Sequence, residues 1–177
     1  MQSEDLKQAL RQEYIKCGED PSYFIRKYCV IQHPIRGKIP FELYPFQVDT
    51  LKEVLNHKYN IILKARQLGI STLTAAYSLW LMTFRNDKNI LVLATKQDTA
   101  KNLVTKIRVM HSNLPGWLKQ TCIEDNKLSL RYKNGSQVKA VSSSEDSGRS
   151  EALSLLVLDE AAFIDKIDTI WAAAQQT

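Results

Sequence analysis

The segment from Leu153 to Glu160 constrains the fold of this 177-residue chain more than any other part of it. It reads Leu-Ser-Leu-Leu-Val-Leu-Asp-Glu, and its apolar residues do not alternate with polar ones. Such a run is typical of a strand buried on both faces, as in a parallel sheet flanked by helices. Asp159 and Glu160 follow at the carboxyl end of the strand, the edge where open α/β sheets bind ligands. We therefore predict a buried strand that ends in an acidic pair at a ligand site.

The acidic pair suits the chemistry of phosphate transfer. An aspartate at that edge can bind Mg²⁺ directly or through water. A neighbouring glutamate can orient and deprotonate an attacking water. Two acidic residues in this place can also do no more than cap the next helix, so the pair needs a partner motif before it indicates an enzyme.

A candidate partner motif lies about 90 residues earlier, as Lys-Ala-Arg-Gln-Leu-Gly-Ile-Ser-Thr at 64–72. The usual phosphate loop is G-x-x-x-x-G-K-[ST]. Gly69 and Ser71 occupy its second glycine and its Mg²⁺-binding hydroxyl, whereas Ile70 replaces the lysine and Lys64 stands at the first glycine. We expect Lys64 to reach the β and γ phosphates from the other side of the loop. The N–H groups at the start of the next helix would bind the same phosphates.

The order of apolar segments predicts an α/β fold. Strands are expected at 60–65, 89–94 and 153–158, and helices at 71–84, 97–112 and 165–176. This alternation indicates a mostly parallel sheet flanked by helices. Period-two segments around Asn134-Gly135 predict an antiparallel hairpin within 121–141, because Asn-Gly favours a tight hairpin turn.

The first 60 residues predict helices and one irregular segment. The spacing of apolar residues in 4–17 is helical, Asp20-Pro21 resembles a helix start, and another helix is expected to begin at Pro45. Prolines and a glycine in 33–45 predict a loop or extended arm.

Bulk properties exclude some classes of protein. The net charge of +5 and the pI of about 9.1 permit a polyanionic partner without requiring one. Cys17, Cys29 and Cys122 form no C-x-x-C pair, which argues against a disulfide framework or a cysteine metal site. No signal core or bilayer-long apolar run is present, so we expect a soluble protein that is not secreted.

Taken together, these motifs resemble the N-terminal ATPase domain of the large terminase subunit, the DNA-packaging motor of tailed bacteriophages. The resemblance covers roughly residues 21–177. Its segments are Phe41–Gln47, Lys64–Thr72, Ser147–Ser150 and Leu155–Phe163. It implies a P-loop NTPase of the type with an additional strand and a catalytic glutamate.

The resemblance also implies roles for single residues. Gln47 resembles the element that recognises adenine, and Arg66 resembles a loop arginine that senses the γ phosphate. Arg149 would be an arginine finger supplied to a neighbouring subunit. Glu160 would be the catalytic base, and Asp159 would bind Mg²⁺ together with Ser71. The expected ATP-binding residues are Gln47, Lys64, Ala65, Arg66, Gln67, Leu68, Gly69, Ile70, Ser71 and Thr72.

Organisation and partners follow from the same resemblance. We expect a helical arm at 1–40 and an ATPase domain at 41–177 that is incomplete at its C-terminal end, without the family's nuclease domain. The implied partners are double-stranded DNA, a portal protein, a small terminase subunit and further copies of the chain in a ring, with no membrane. The implied location is the cytoplasm of an infected bacterium.

Two alternatives stay open at this stage. One is a helicase-like DNA translocase, although such enzymes normally keep the lysine that Ile70 replaces. The other is a truncated remnant that binds nucleotide without hydrolysing it. Four basic residues are expected to lie on a solvated helix face rather than on DNA: Lys96, Lys101, Lys106 and Arg108.

Overall fold

A computed structural model describes residues 2–142 and 152–175. The described helices are α1 (Gln2–Glu19), α2 (Pro21–Tyr28), α3 (Pro45–Asn56), α4 (Ile70–Phe84), α5 (Gln97–Asn113) and α6 (Ile167–Gln175). The described strands are β1 (Val30–His33), β2 (Gly37–Pro40), β3 (Asn89–Ala94), β4 (Cys122–Asp125), β5 (Ser129–Tyr132), β6 (Gln137–Ser142) and β7 (Leu155–Asp159). A short 3₁₀ turn, Ala161–Phe163, follows β7.

The main sheet has the strand order β4-β5-β6-β3-β7. Strand β3 pairs in parallel with β6 and β7, whereas β5 pairs antiparallel with β6 and with β4. The chain therefore has an α/β fold with a mixed sheet. The prediction of a mostly parallel sheet is met only in part, because β4 and β5 add two antiparallel strands at one side.

The antiparallel hairpin turns where Asn134-Gly135 predicted it. The Tyr132 N–H donates to Ser136 O at 2.8 Å, and Gly135 has φ +82°. A Cβ on Gly135 would lie 2.0 Å from Asp87 Oδ1. Only glycine combines this left-handed backbone with so close a neighbour.

Helices cover the sheet on both faces, so that β3 is buried throughout. Its Ile90 and Val92 join the larger core, which includes buried residues of α2, α4 and α5. Its Leu91 and Leu93 pack on the opposite face against Ile164 and Ile170. The continuous apolar run of β3 is thus explained by its position between two apolar layers.

Strand β7 is less buried than its sequence predicted. Alternate residues contact the two cores as expected, but all five residues are only half-buried. The reason is its place in the sheet. Among the described strands β7 pairs only with β3, so its outer edge has no strand beside it.

The prediction of a strand at 60–65 is wrong for the structure described. These residues have no regular secondary structure and belong to neither described sheet. The side chains of Ile61 and Leu63 are fully exposed, and Ile62 is 41% exposed. A strand needs a neighbour to accept and donate its backbone hydrogen bonds, and no described strand lies beside this segment.

The prediction of a loop at 33–45 missed a short antiparallel pair, β1 and β2. The pair turns through Pro34, where His33 Nδ1 accepts from the N–H groups of Ile35 at 3.2 Å and Arg36 at 3.1 Å. Gly37 completes the turn with φ +69°. The prolines that argued against a strand lie in the turn and at the last residue of β2, where a missing N–H is tolerated.

Helices α1 and α2 are joined to each other through one carboxylate. Glu13 accepts from Lys27 Nζ at 2.8 Å, Tyr28 Oη at 2.7 Å and Tyr23 Oη at 2.8 Å. These hydrogen bonds, with that of Lys27 the largest cause, lower the pKa of Glu13 to about 2. Trp80 Nε1 in α4 donates to Cys17 O at 2.9 Å, which attaches the pair to the core. None of the described helices combines the length and the apolar character needed to cross a membrane.

Candidate functional site

The loop before α4 contains two residues with left-handed backbone. Gln67 and Gly69 have φ values of +64° and +70°, and α4 begins directly afterwards at Ile70. The N–H groups of Thr72 and Leu73 both donate to Gly69 O, at 3.0 and 2.9 Å. The earlier N–H groups of a helix have no partner within it and carry the positive end of its dipole. The start of α4 is therefore suited to bind phosphate.

The structure joins this helix start to the acidic pair. Ser71 Oγ donates a hydrogen bond to Asp159 Oδ2 at 3.0 Å, although the two residues are 88 positions apart. The Glu160 N–H donates to Asp159 Oδ1 at 3.1 Å, so both carboxylate oxygens are engaged. Register places Asp159 beside Ala94, the last residue of β3. The two motifs thus meet at the carboxyl edge of the sheet.

The Ser71–Asp159 pair fits a magnesium ion. Hydroxyl and carboxylate oxygens are ligands that Mg²⁺ accepts. Over the described residues no group of three or more His, Cys, Asp or Glu lies together as a metal site.

Glu160 lies immediately beyond this pair in an unusual backbone conformation. Its φ is +55°, and its side chain is exposed at the start of the 3₁₀ turn. A left-handed backbone costs a non-glycine residue about 1 kcal/mol or more. The turn separates the directions of two consecutive carboxylates, because that of Asp159 is held on Ser71 while that of Glu160 is free to meet solvent.

Lys64 and Arg66 are both exposed, in the irregular segment and in the turn that follows it. Ala65, Gln67 and Leu68 are exposed as well. The ammonium of Lys64 is thus accessible to an incoming phosphate, and its expected contact with the β and γ phosphates stays a prediction. The same is true of the expected role of Arg66.

Gln47, the expected adenine-recognition residue, is buried between α3 and the loop, and its role stays a prediction. It is 1% exposed. Its Oε1 accepts from the Tyr44 N–H at 3.0 Å, which caps α3, and its Nε2 donates to Leu68 O at 3.0 Å. The side chain therefore connects the start of α3 to the loop.

Lys106 is a candidate that sequence reasoning missed. It was expected on a solvated face, but it is half-buried on α5. Burial lowers the pKa of its ammonium, while Asp159 nearby raises this pKa and Lys64 lowers it. A helical wheel would have placed Lys106 at the edge of the apolar face, because it lies three residues from Leu103 and four from Met110, both buried.

The other three basic residues that were expected on the solvated helix face differ in their contacts. Lys96 is exposed, as expected. Lys101 is half-buried and lies 3.8 Å from Asp98 Oδ1. Arg108 donates to Asp125 Oδ1 at 2.5 Å and also to Asn126 O. Arg149, the expected arginine finger, lies outside the described residues.

Comparison with known families agrees with this arrangement. The family described as terminase large subunit, T4likevirus-type, N-terminal, matches residues 61–177, which is more than half of the chain. The chain belongs to this large terminase family. The match contains the loop, Asp159 and Glu160 of this terminase chain, whereas Gln47 and the first two helices precede it.

The fold of the terminase chain is similar to a solved structure of the family. The crystal structure of the HK97 bacteriophage large terminase matches with a TM-score of 0.71 and 23% sequence identity. The match covers 90% of this chain and 35% of that one. The terminase chain thus spans about a third of the length of that protein, and the likeness concerns the fold.

Proposed function

We propose that this chain is the ATP-binding and ATP-hydrolysing module of a large terminase, which couples hydrolysis to movement of double-stranded DNA into a procapsid. The fold would then be a P-loop NTPase with a catalytic glutamate. The observation that carries the proposal is the hydrogen bond between Ser71 and Asp159. It brings the phosphate-loop hydroxyl to the acidic pair, as phosphoryl-transfer sites of this class require.

Each residue of the site would act on a defined part of ATP. The N–H groups at the start of α4, with Lys64, would hold the phosphates. Ser71 and Asp159 would hold Mg²⁺, which would supply neutralising charge on the phosphate oxygens. The exposed carboxylate of Glu160 would accept a proton from the attacking water and orient it.

Two arginines would complete the site. Arg66 lies in the loop turn, close in sequence to the phosphate-binding amides, where its guanidinium would contact the γ phosphate. Arg149 would come from a neighbouring copy in a ring and neutralise charge on the transferring phosphate. By family membership, the proposed partners are double-stranded DNA, a portal protein and a small terminase subunit, in the cytoplasm of the bacterial host.

Asp159→Asn tests the metal part of the proposal. The substitution keeps the size of the side chain and removes its charge. ATP should bind the unaltered chain more tightly when Mg²⁺ replaces EDTA. In the variant this increase in ATP affinity should be about tenfold smaller, roughly 1.4 kcal/mol. Calorimetric titration with and without Mg²⁺ measures the effect.

The matched control is Asp165→Asn, an exposed aspartate six positions further along. It should leave the Mg²⁺-dependent gain unchanged. Equal Mg²⁺ dependence in Asp159→Asn and the unaltered chain would exclude Asp159 as a metal ligand and would contradict the proposed site.

The 177-residue chain by itself should bind ATP but hydrolyse it slowly. The physical reason is that, within the described sheet, β7 has no strand on its outer side, and the exposed segment around Ile61 and Leu63 pairs with no described strand, so it gives the loop little support. Phosphate release measured beside ATP binding checks this. A monomer that turns over ATP at typical enzyme rates, roughly 1–10³ per second, would contradict it.

The variant Glu160→Ala distinguishes a slow ATPase from a protein that does not hydrolyse ATP. If the chain is a weak ATPase, the variant should lose the residual turnover and retain ATP binding. If turnover is the same in both proteins, the second candidate function, a nucleotide-binding remnant, is favoured. This second candidate is supported by the outer edge of β7, which has no strand beside it among the described strands.

A further inference from the structure

We propose that Gln47 is a positioning residue that holds the phosphate loop in its binding shape, and that its amide is not the reader of adenine. The inference rests on the proposed function in one respect, that the loop before α4 binds phosphate. It concerns a residue outside the part of the chain that the family match covers.

The first support is that both ends of the amide are used by the protein. The Oε1 atom accepts from the Tyr44 N–H and the Nε2 atom donates to Leu68 O, both at 3.0 Å. Pairing with N6 and N7 of adenine needs the same oxygen as acceptor and the same nitrogen as donor. With 1% of Gln47 exposed, the amide has no free face for a base.

The second support is what the bond to Leu68 does to the loop. A trans peptide is planar, so its C=O and N–H point in opposite directions. Because Leu68 O points to Gln47, the Gly69 N–H on the same peptide points away from it. The described chain has no cis peptide bond, so this relation holds here. Gln47 thereby fixes the direction of an amide at the start of α4, where phosphate is expected.

The third support is the close packing of the amide on Gly69. A Cβ at Gly69 would lie 2.7 Å from Gln47 Nε2. The bonded carbonyl also lies between Gln67 and Gly69, the two left-handed residues of the loop. Left-handed backbone at Gln67 is costly, and the part-buried hydrogen bond of Gln47 to the next residue opposes its relaxation. Together these contacts connect α3 to the loop through the Gln47 side chain, and we call this connection the strut.

The experiment compares three ligands that share the phosphates and differ in the base. Affinities for ATP, GTP and inorganic tripolyphosphate, each with Mg²⁺, are measured for the unaltered chain and for Gln47→Ala. Loss of the strut should weaken all three by the same factor, about three- to tenfold. A loss confined to ATP would show that Gln47 reads adenine and would overturn the proposal.

Gln47→Glu isolates the bond to the loop. Its carboxylate still accepts from the Tyr44 N–H but cannot donate to Leu68 O, so it should lower tripolyphosphate affinity as much as Gln47→Ala does. Tripolyphosphate binding equal to that of the unaltered chain would overturn the proposal. Gln12→Ala, on the exposed surface of α1, is the matched control and should change none of the affinities.

A measurement without any ligand separates this proposal from the function on which it rests. Amide hydrogen exchange over 65–70 should become faster in Gln47→Ala, while exchange within α5 stays the same. If the unaltered chain binds none of the three ligands but the loop still loses protection in the variant, the strut stands and the proposed function fails. Unchanged exchange in the loop would overturn the strut.

Discussion

Replacing Lys64 by alanine is expected to weaken ATP binding by about a hundredfold, roughly 2.7 kcal/mol. Buried Ile70 occupies the position where phosphate loops normally carry their lysine. The loop therefore lacks that cation, and the exposed ammonium of Lys64 is the nearest replacement in sequence. A hydrogen bond to a charged group contributes about 1.5–3 kcal/mol, and one ammonium can bond two phosphates. Calorimetric titration with MgATP at constant ionic strength measures the loss.

Three further variants make this result specific. Lys64→Arg keeps the charge and should retain most of the affinity, whereas Lys58→Ala, an exposed lysine six positions earlier, should have no effect. Lys106→Ala tests the other ammonium near Asp159. Unchanged ATP affinity in Lys64→Ala, with a large loss in Lys106→Ala, would show that the cation comes from α5 and that the account of the loop is wrong.

Leu79→Ala is expected to lower the free energy of unfolding by about 2–5 kcal/mol. Leu79 is fully buried in the middle of α4, within the larger core. Its truncation removes contacts and leaves a cavity that the surrounding residues fill only in part. Because α4 begins at the phosphate loop, the same variant should also bind ATP less well near its melting temperature. Urea unfolding followed by circular dichroism gives the energy.

Leu6→Ala is the matched control for the core. Leu6 is 61% exposed on α1, and an exposed leucine should contribute within about 0.5 kcal/mol. A loss below 1 kcal/mol for Leu79→Ala, or an equal loss for both variants, would mean that α4 is not packed in the larger core as described.

Local features of the fold were predictable because nearby residues decide them. Asp20 accepts hydrogen bonds from the N–H groups of Ser22 and Tyr23, so α2 begins where its cap predicted. Helix α3 begins at Pro45, as expected. Gly135 has φ +82°, a left-handed backbone that glycine adopts without strain, so the turn forms where Asn134-Gly135 predicted it. Caps and turns formed by residues that are close in sequence can therefore be predicted from the order of residues.

The prediction at 60–65 failed because an apolar run shows only that a strand would be favourable. Whether it forms depends on a partner, which sequence periodicity does not show. The same limit explains β7. Its composition predicted burial on both faces. Alternate residues do contact the two cores, but all five are only half-buried, because the outer edge of β7 is unpaired within the described sheet, which composition could not show.

The order of residues is enough to show which chemical groups this chain can offer: a glycine turn before an apolar helix, and an acidic pair at the end of an apolar strand. How these groups meet depends on tertiary packing. Ser71 contacts Asp159 across 88 positions, Gln47 donates to Leu68 O, and Lys106 is half-buried on α5. The physical reason is that these contacts join residues far apart in the chain, and they form only once the sheet and its helices are packed.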